Sequence, residues 1–86
     1  MASKTVTIGS RTGLHARPAA VFVEAARAAG VPVRVGRPGG AQVNAASILA
    51  VMGLGVEHAD QVVVTSDSQE TVDQLAELLA RDLDED

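Results

Sequence analysis

The 86-residue chain is predicted to fold as an α/β (α+β) protein, a sheet of alternating strands with helices laid on one face. Three observations predict it. Lys4-Thr5-Val6-Thr7-Ile8 alternates polar and apolar residues and is rich in β-branched side chains, the pattern of a strand buried on one side. Gln61-Val62-Val63-Val64-Thr65 is the most continuous apolar strand pattern in the chain, which places it in the interior of the sheet. Between and after these strands, Pro18 to Ala29 and the stretch following Ser66 repeat apolar residues at the spacing of one helical face.

Taken in order, Val6 and Ile8 are expected to face the core, and Gly9 to Gly13 forms a polar loop with two glycines. The next helix starts near His15 to Arg17, because Pro18 fits a first turn whose N–H groups have no intrahelical partner. Its buried face is Pro18, Phe22, Ala25, Ala26 and Ala29; Glu24 and Arg27 look away, and Gly30 closes it. Val31 to Val35 is the second strand, with Pro32 tolerable near its beginning. Arg37-Pro38-Gly39-Gly40 turns the chain, and Ala41 to Asn44 returns as a short strand. Ser47 is the N-cap of a short helix reaching Met52, with Asn44 as the competing cap and Gly53 as the stop. Gly55 to Asp60 is a loop. The last helix begins after Ser66, whose spacing to Gln69 fits a capping box. Val72, Leu75, Ala76, Leu79 and Leu83 form its buried stripe, Glu70, Asp73 and Glu77 point away, and the acidic end from Asp82 to Asp86 is expected to fray. The order is strand, helix, strand, strand, short helix, strand, helix. Periodicity leaves the order of strands within the sheet open.

Composition narrows the function. A chain of this length has room for one domain, spanning residues 1–86, and buries roughly 60 to 65 % of its unfolded surface. A formal charge of −4, a single aromatic residue, Phe22, and no run of Lys or Arg argue against nucleic acid as a partner. There is no cysteine, which excludes a disulfide framework, a thiol nucleophile and a zinc–thiolate site. No cationic start leads into an apolar run, so neither a signal peptide nor membrane insertion is expected, and a cytoplasmic location is the default.

One stretch concentrates the chemistry. Gly13-Leu14-His15-Ala16-Arg17-Pro18 turns sharply into a helix whose first N–H groups and dipole favour an anion, above all a phosphoryl group. His15 supplies a neutral nitrogen nucleophile there, Arg17 supplies a fixed cation shaped for phosphate oxygens, and the backbone N–H groups of Ala16 and Arg17 are placed to bind phosphate. The plainer alternatives are a histidine that only caps or packs and a solvated arginine. For Ser47 the N-cap role is sufficient by itself. Ile48, Leu49 and Met52 put three large apolar groups on one and a half turns, too many to bury in one direction, so some are expected at the surface. His58 sits in a polar loop and is read as a surface histidine; no metal site is expected from it and His15.

Gly13-Leu14-His15-Ala16-Arg17-Pro18-Ala19-Ala20 resembles the active-site signature of the HPr family, the histidine-containing phosphocarriers of the bacterial sugar phosphotransferase system, and the resemblance runs from about residue 4 to residue 83. It implies an open-faced two-layer sandwich with a four-stranded antiparallel sheet of order 1-4-2-3 and three helices on one face. It further implies that His15 becomes a phosphohistidine at Nδ1, taking a phosphoryl group that enzyme I has drawn from phosphoenolpyruvate and passing it to enzyme IIA components for sugar uptake. Arg17 would offset the charge of that group. Such a protein is a carrier and not a turnover enzyme, needs no resident cofactor, and has no need to be more than a monomer. Asn44-Ala45-Ala46-Ser47-Ile48-Leu49-Ala50-Val51-Met52 is similar to the family segment whose serine is phosphorylated in some bacteria by HPr kinase/phosphorylase, with Ala46 here where lysine is frequent. The family docks its partners beside the histidine, which implies a patch of Ala16, Ala20, Arg27, Ile48, Leu49 and Met52. The alternative function is an HPr-like regulatory or docking module of the nitrogen-related branch; a pure docking module would have no need of His15. Pattern alone would also allow a small-metabolite sensor.

Overall fold

The computed structural model describes residues 1–82; Leu83 of the expected buried stripe and Asp84 to Asp86 of the acidic end lie outside the described residues. The elements are β1 (Ala2–Thr7), α1 (Ala16–Ala28), β2 (Val33–Gly36), β3 (Gln42–Asn44), α2 (Ile48–Met52), β4 (Gln61–Ser66) and α3 (Gln69–Ala80). The strands form one sheet of order β1-β4-β2-β3 in which every neighbouring pair is antiparallel, as the resemblance implies. β4, the most apolar strand, is interior and pairs with both β1 and β2.

Register sorts the two faces. Val6 lies opposite Val62, and Val64 lies between Lys4 and Val35, so these residues share the helix-covered side. Val62, Val64 and Ser66 are buried there, whereas Gln61, Val63 and Thr65 between them are more open, on the uncovered face. Lys4 falls on the helix side at the sheet edge and reaches Asp73 of α3 at 3.6 Å. α3 packs across β1 and β4, and α1 packs against both α2 and α3. Phe22, Ile8, Leu14, Val35, Val51 and Leu79 are fully buried in the shared core.

The structure corrects several boundaries. Ile8 lies just past β1, yet it is buried and its backbone bonds Asp60 and Ala59 at 2.9 and 3.0 Å, so it continues the strand's path without its ladder. Val31 and Pro32 precede β2 and are exposed; Pro32 has no N–H for a ladder, and its carbonyl accepts the Ser66 hydroxyl at 2.9 Å. α1 buries Ala19 and Val23 in addition to Pro18, Phe22 and Ala26, while Ala25 and Ala29 are only half-buried, because its apolar stripe must serve two neighbouring helices. Gly30 follows the last turn with φ 71°, as a helix-closing glycine does.

The largest correction is at the start of α3. Ser66 is not its cap: it is the last residue of β4, 5 % exposed, and paired with Ala2 and Val33. Ser68 caps instead, its Oγ accepting the Thr71 N–H at 3.2 Å. Ser47 does cap α2, accepting from Ala50 N–H at 3.3 Å, whereas Asn44, the competing candidate, turns the chain by accepting from Ala46 N–H at 2.9 Å. Asp82, the first residue of the acidic end, places its carboxylate against Arg11 Nε at 2.8 Å.

Candidate functional site

The loop from Gly9 to Leu14 is held from both sides before it reaches His15. Gly9 N–H donates to Leu79 O at 3.0 Å, and the buried Ser10 hydroxyl donates to Arg81 O at 3.3 Å, which seats the loop on the end of α3. Gly13 N–H closes a turn onto Ser10 O at 3.0 Å, and Leu14 N–H donates to Val56 O at 3.0 Å while its side chain is wholly buried. Gly13 is required twice. Its φ is 70°, and a Cβ there would run into the Val56 carbonyl oxygen and the Glu57 backbone.

These supports fix the start of α1. His15 is its N-cap residue, with extended backbone (φ −125°, ψ 153°), a half-buried side chain, and no cap hydrogen bond from the imidazole. Ala16 follows at φ 49°, a left-handed conformation that costs an alanine about 1–2 kcal/mol. Strain of this kind persists only where neighbours enforce it. Here the buried Leu14 and Pro18 pin the chain on either side of His15-Ala16-Arg17. No acidic residue lies in the first turn, so the positive end of the helix dipole is not offset from within α1. Ala16 and Arg17 are exposed.

Ala20 and Arg27 are exposed further along α1. Arg27 is also a brace: its Nε donates to Ala46 O at 3.1 Å, tying α1 to the residue that precedes Ser47. Ser47 is half-buried with its hydroxyl engaged at the start of α2. Of the three large apolar residues there, Leu49 is 82 % exposed, Ile48 and Met52 are at the surface edge at 37 %, and Val51 turns inward. A groove of about 400 Å³ between α1 and α3, lined by Ala25, Ala29, Gln74 and Leu78, contains none of these residues.

His58 is exposed, on a turn whose next residue, Ala59, also has positive φ, 70°. Among the described residues no group of three or more His, Cys, Asp or Glu is arranged to hold a metal ion, and no helix is long and apolar enough to cross a membrane. What sequence reasoning missed is the support: Gly9, Ser10 and Val56. Val56 left one signal, a β-branched apolar residue in the loop beside Glu57 and His58.

Comparison with known proteins agrees with this geometry. Residues 2–81 match the family model described as the PTS HPr component phosphorylation site. The chain is 47 % identical over 88 residues to the phosphocarrier protein HPr of Streptomyces coelicolor, covering 99 % of this chain and 95 % of the relative. It is 42 % identical over 81 residues to HPr of Haloferax volcanii, covering 90 % and 91 %. The crystal structure of HPr from Thermoanaerobacter tengcongensis superposes with a TM-score of 0.89 at 34 % identity, over 100 % of this chain and 99 % of that one. A match over nearly all of the chain, in sequence and in topology, leaves one conclusion: this protein belongs to the HPr family of the phosphotransferase system, phosphocarriers that hold a phosphoryl group in transit and do not turn over a substrate.

Proposed function

We propose that His15 is the phosphoryl-accepting residue and that the start of α1 is built to receive the group. The support is one observation: alone among the three helices, α1 begins with a residue whose side chain makes no cap bond, and that residue is a half-exposed histidine. Its imidazole is therefore uncommitted to the helix it starts. A lone pair on Nδ1 attacks phosphorus, the P–N bond to the donor histidine of enzyme I breaks, and the donor imidazole leaves. Enzyme I draws the group from phosphoenolpyruvate. The reverse geometry hands it to a histidine of an enzyme IIA component, in the cytoplasm, in the service of sugar uptake. Both partners must reach the same imidazole, so the two complexes exclude one another.

Arg17 offsets the charge of the phosphoryl oxygens, and the Ala16 and Arg17 N–H groups add oriented dipoles. Leu49, with Ile48, Met52, Ala16, Ala20 and Arg27, forms the docking patch; an apolar side chain that is 82 % exposed is a feature of a binding surface. Ser47 is the second modification site, for HPr kinase/phosphorylase, where a phosphate would replace a neutral cap with negative charge at the edge of that patch. The test is to mix the protein with phosphoenolpyruvate, magnesium and enzyme I and to follow intact mass. The expected result is one acid-labile phosphate, absent in His15→Ala and formed more slowly in a folded Arg17→Ala. Phosphate on His15→Ala would overturn the assignment, and an unchanged rate in Arg17→Ala would remove its role.

A further inference from the structure

We infer that Arg37, on the turn after β2, is a positioning residue for phosphoryl transfer at His15, acting through the segment 54–60 on which the His15 loop rests; this rests on His15 being the acceptor. The guanidinium grips both ends of that segment. Its Nη2 donates to Gly55 O at 2.8 Å and its Nε to Leu54 O at 3.3 Å, while Nη1 meets Asp60 Oδ2 at 3.3 Å. The same Asp60 oxygen accepts Glu57 N–H at 3.0 Å, and Asp60 N–H returns to Glu57 O at 3.1 Å, so the far end is a closed turn.

Val56, between the two gripped ends, is wholly buried and offers its carbonyl to Leu14 N–H at 3.0 Å. The Gly13 backbone rests so closely on Val56 and Glu57 that not even a methyl group fits between them. Any movement of Val56 is therefore passed to Gly13 and Leu14, and the next residue is His15. A reaction whose rate depends on nucleophile placement responds to displacements of a fraction of an ångström.

The chemistry of the side chain matters. Only a planar fork with several donors spans two carbonyls and a carboxylate at once; a lysine is a single point charge. Nor is the pair a mainstay of stability, since Arg37 and Asp60 side chains are 44 % and 35 % exposed and such ion pairs contribute little. Backbone bonds of Ile8 to Asp60 and Ala59 hold the segment to the sheet independently, so loss of Arg37 loosens the segment and leaves the fold in place.

The experiment compares wild type, Arg37→Ala, Arg37→Lys and the control Lys4→Ala, which breaks an exposed ion pair at the opposite edge of the sheet from β3. Amide exchange at Leu14 and single-turnover transfer from phosphorylated enzyme I are measured on each, at several carrier concentrations. In Arg37→Ala, Leu14 exchange is expected to rise about tenfold as local opening becomes easier. Its maximal transfer rate is expected to fall about three- to tenfold, with the half-saturating concentration nearly unchanged. Arg37→Lys follows in the same direction and stands in if Arg37→Ala does not fold; Lys4→Ala changes neither readout. Unchanged Leu14 exchange in a folded Arg37 variant, or full restoration by lysine, would overturn the inference. If wild type accepts no phosphate, the assignment of His15 fails instead, and the exchange data still decide whether Arg37 holds the loop.

Discussion

At the starts of α2 and α3, serine hydroxyls accept the N–H groups of Ala50 and Thr71; at the start of α1, His15 makes no such bond and Ala16 behind it is forced to φ 49°. At the two capped ends the serine itself satisfies a donor three residues ahead, one of the first N–H groups that the helix cannot pair internally. α1 begins where its neighbours put it. Its position comes from Gly9 and Ser10 on the end of α3, from Leu14 on Val56, and from the close approach of Gly13 to the same residue. A helix start held from outside leaves its own side chain uncommitted to capping, which is what the proposed role of His15 requires.

The largest effect that would sharpen the contrast is Gly13→Ala. The new methyl group meets the Val56 carbonyl and must also adopt φ 70°, so the variant should lose about 3 kcal/mol or more in denaturant unfolding. A loss below about 1 kcal/mol would mean that the loop can shift at little cost and that α1 is not positioned by this contact.

Next in size are the caps themselves. Ser68→Ala should cost about 1 kcal/mol, with Ser47→Ala at or below that figure because α2 is one short turn. His15→Ala should change stability by less than about 0.5 kcal/mol, since no cap bond is removed, while abolishing phosphoryl acceptance. Equal costs at Ser68 and His15 would break the comparison outright.

How much of this could be read from the chain depends on whether the information is local. Alternation in β1 placed Val6 and Ile8 on the core side, because a strand's period does not depend on its neighbours, and the continuous apolar run of β4 placed that strand in the sheet interior; that Val62 and Val64 are its core-facing residues came from the structure. The anion-favouring helix start at His15 was equally legible, being written in six consecutive residues. Ser66 and Ser68 were not distinguishable by pattern: which of them caps α3 depends on how far β4 continues, and that is set by pairing of Ser66 with Ala2 and Val33. Likewise the strand order came only from resemblance to a family. The long-range partners of the His15 loop, Val56 and Leu79 among them, are more than 20 residues away in sequence and meet it only when the fold is assembled.

The smallest effect separates the two kinds of helix start by acid. Serine caps do not ionise, whereas the segment under Gly13 and Leu14 is closed by the Asp60 carboxylate. The Glu57 N–H bonded to that carboxylate is the main cause holding its pKa below the ordinary 3.8; desolvation opposes it, and the hydrogen bond and charge of Arg37, each a lesser effect, add to the lowering. A pKa lowered in the folded state adds stability above the ordinary value, and that stability is lost as pH falls through the lowered one. The stability difference between wild type and Asp60→Asn should therefore be constant near neutral pH and shrink toward zero as the solution is taken below pH 3.8. The difference between wild type and Ser68→Ala should persist through the same range. If the two differences faded together, acid would be loosening the whole sheet, and the His15 loop would have no separate footing.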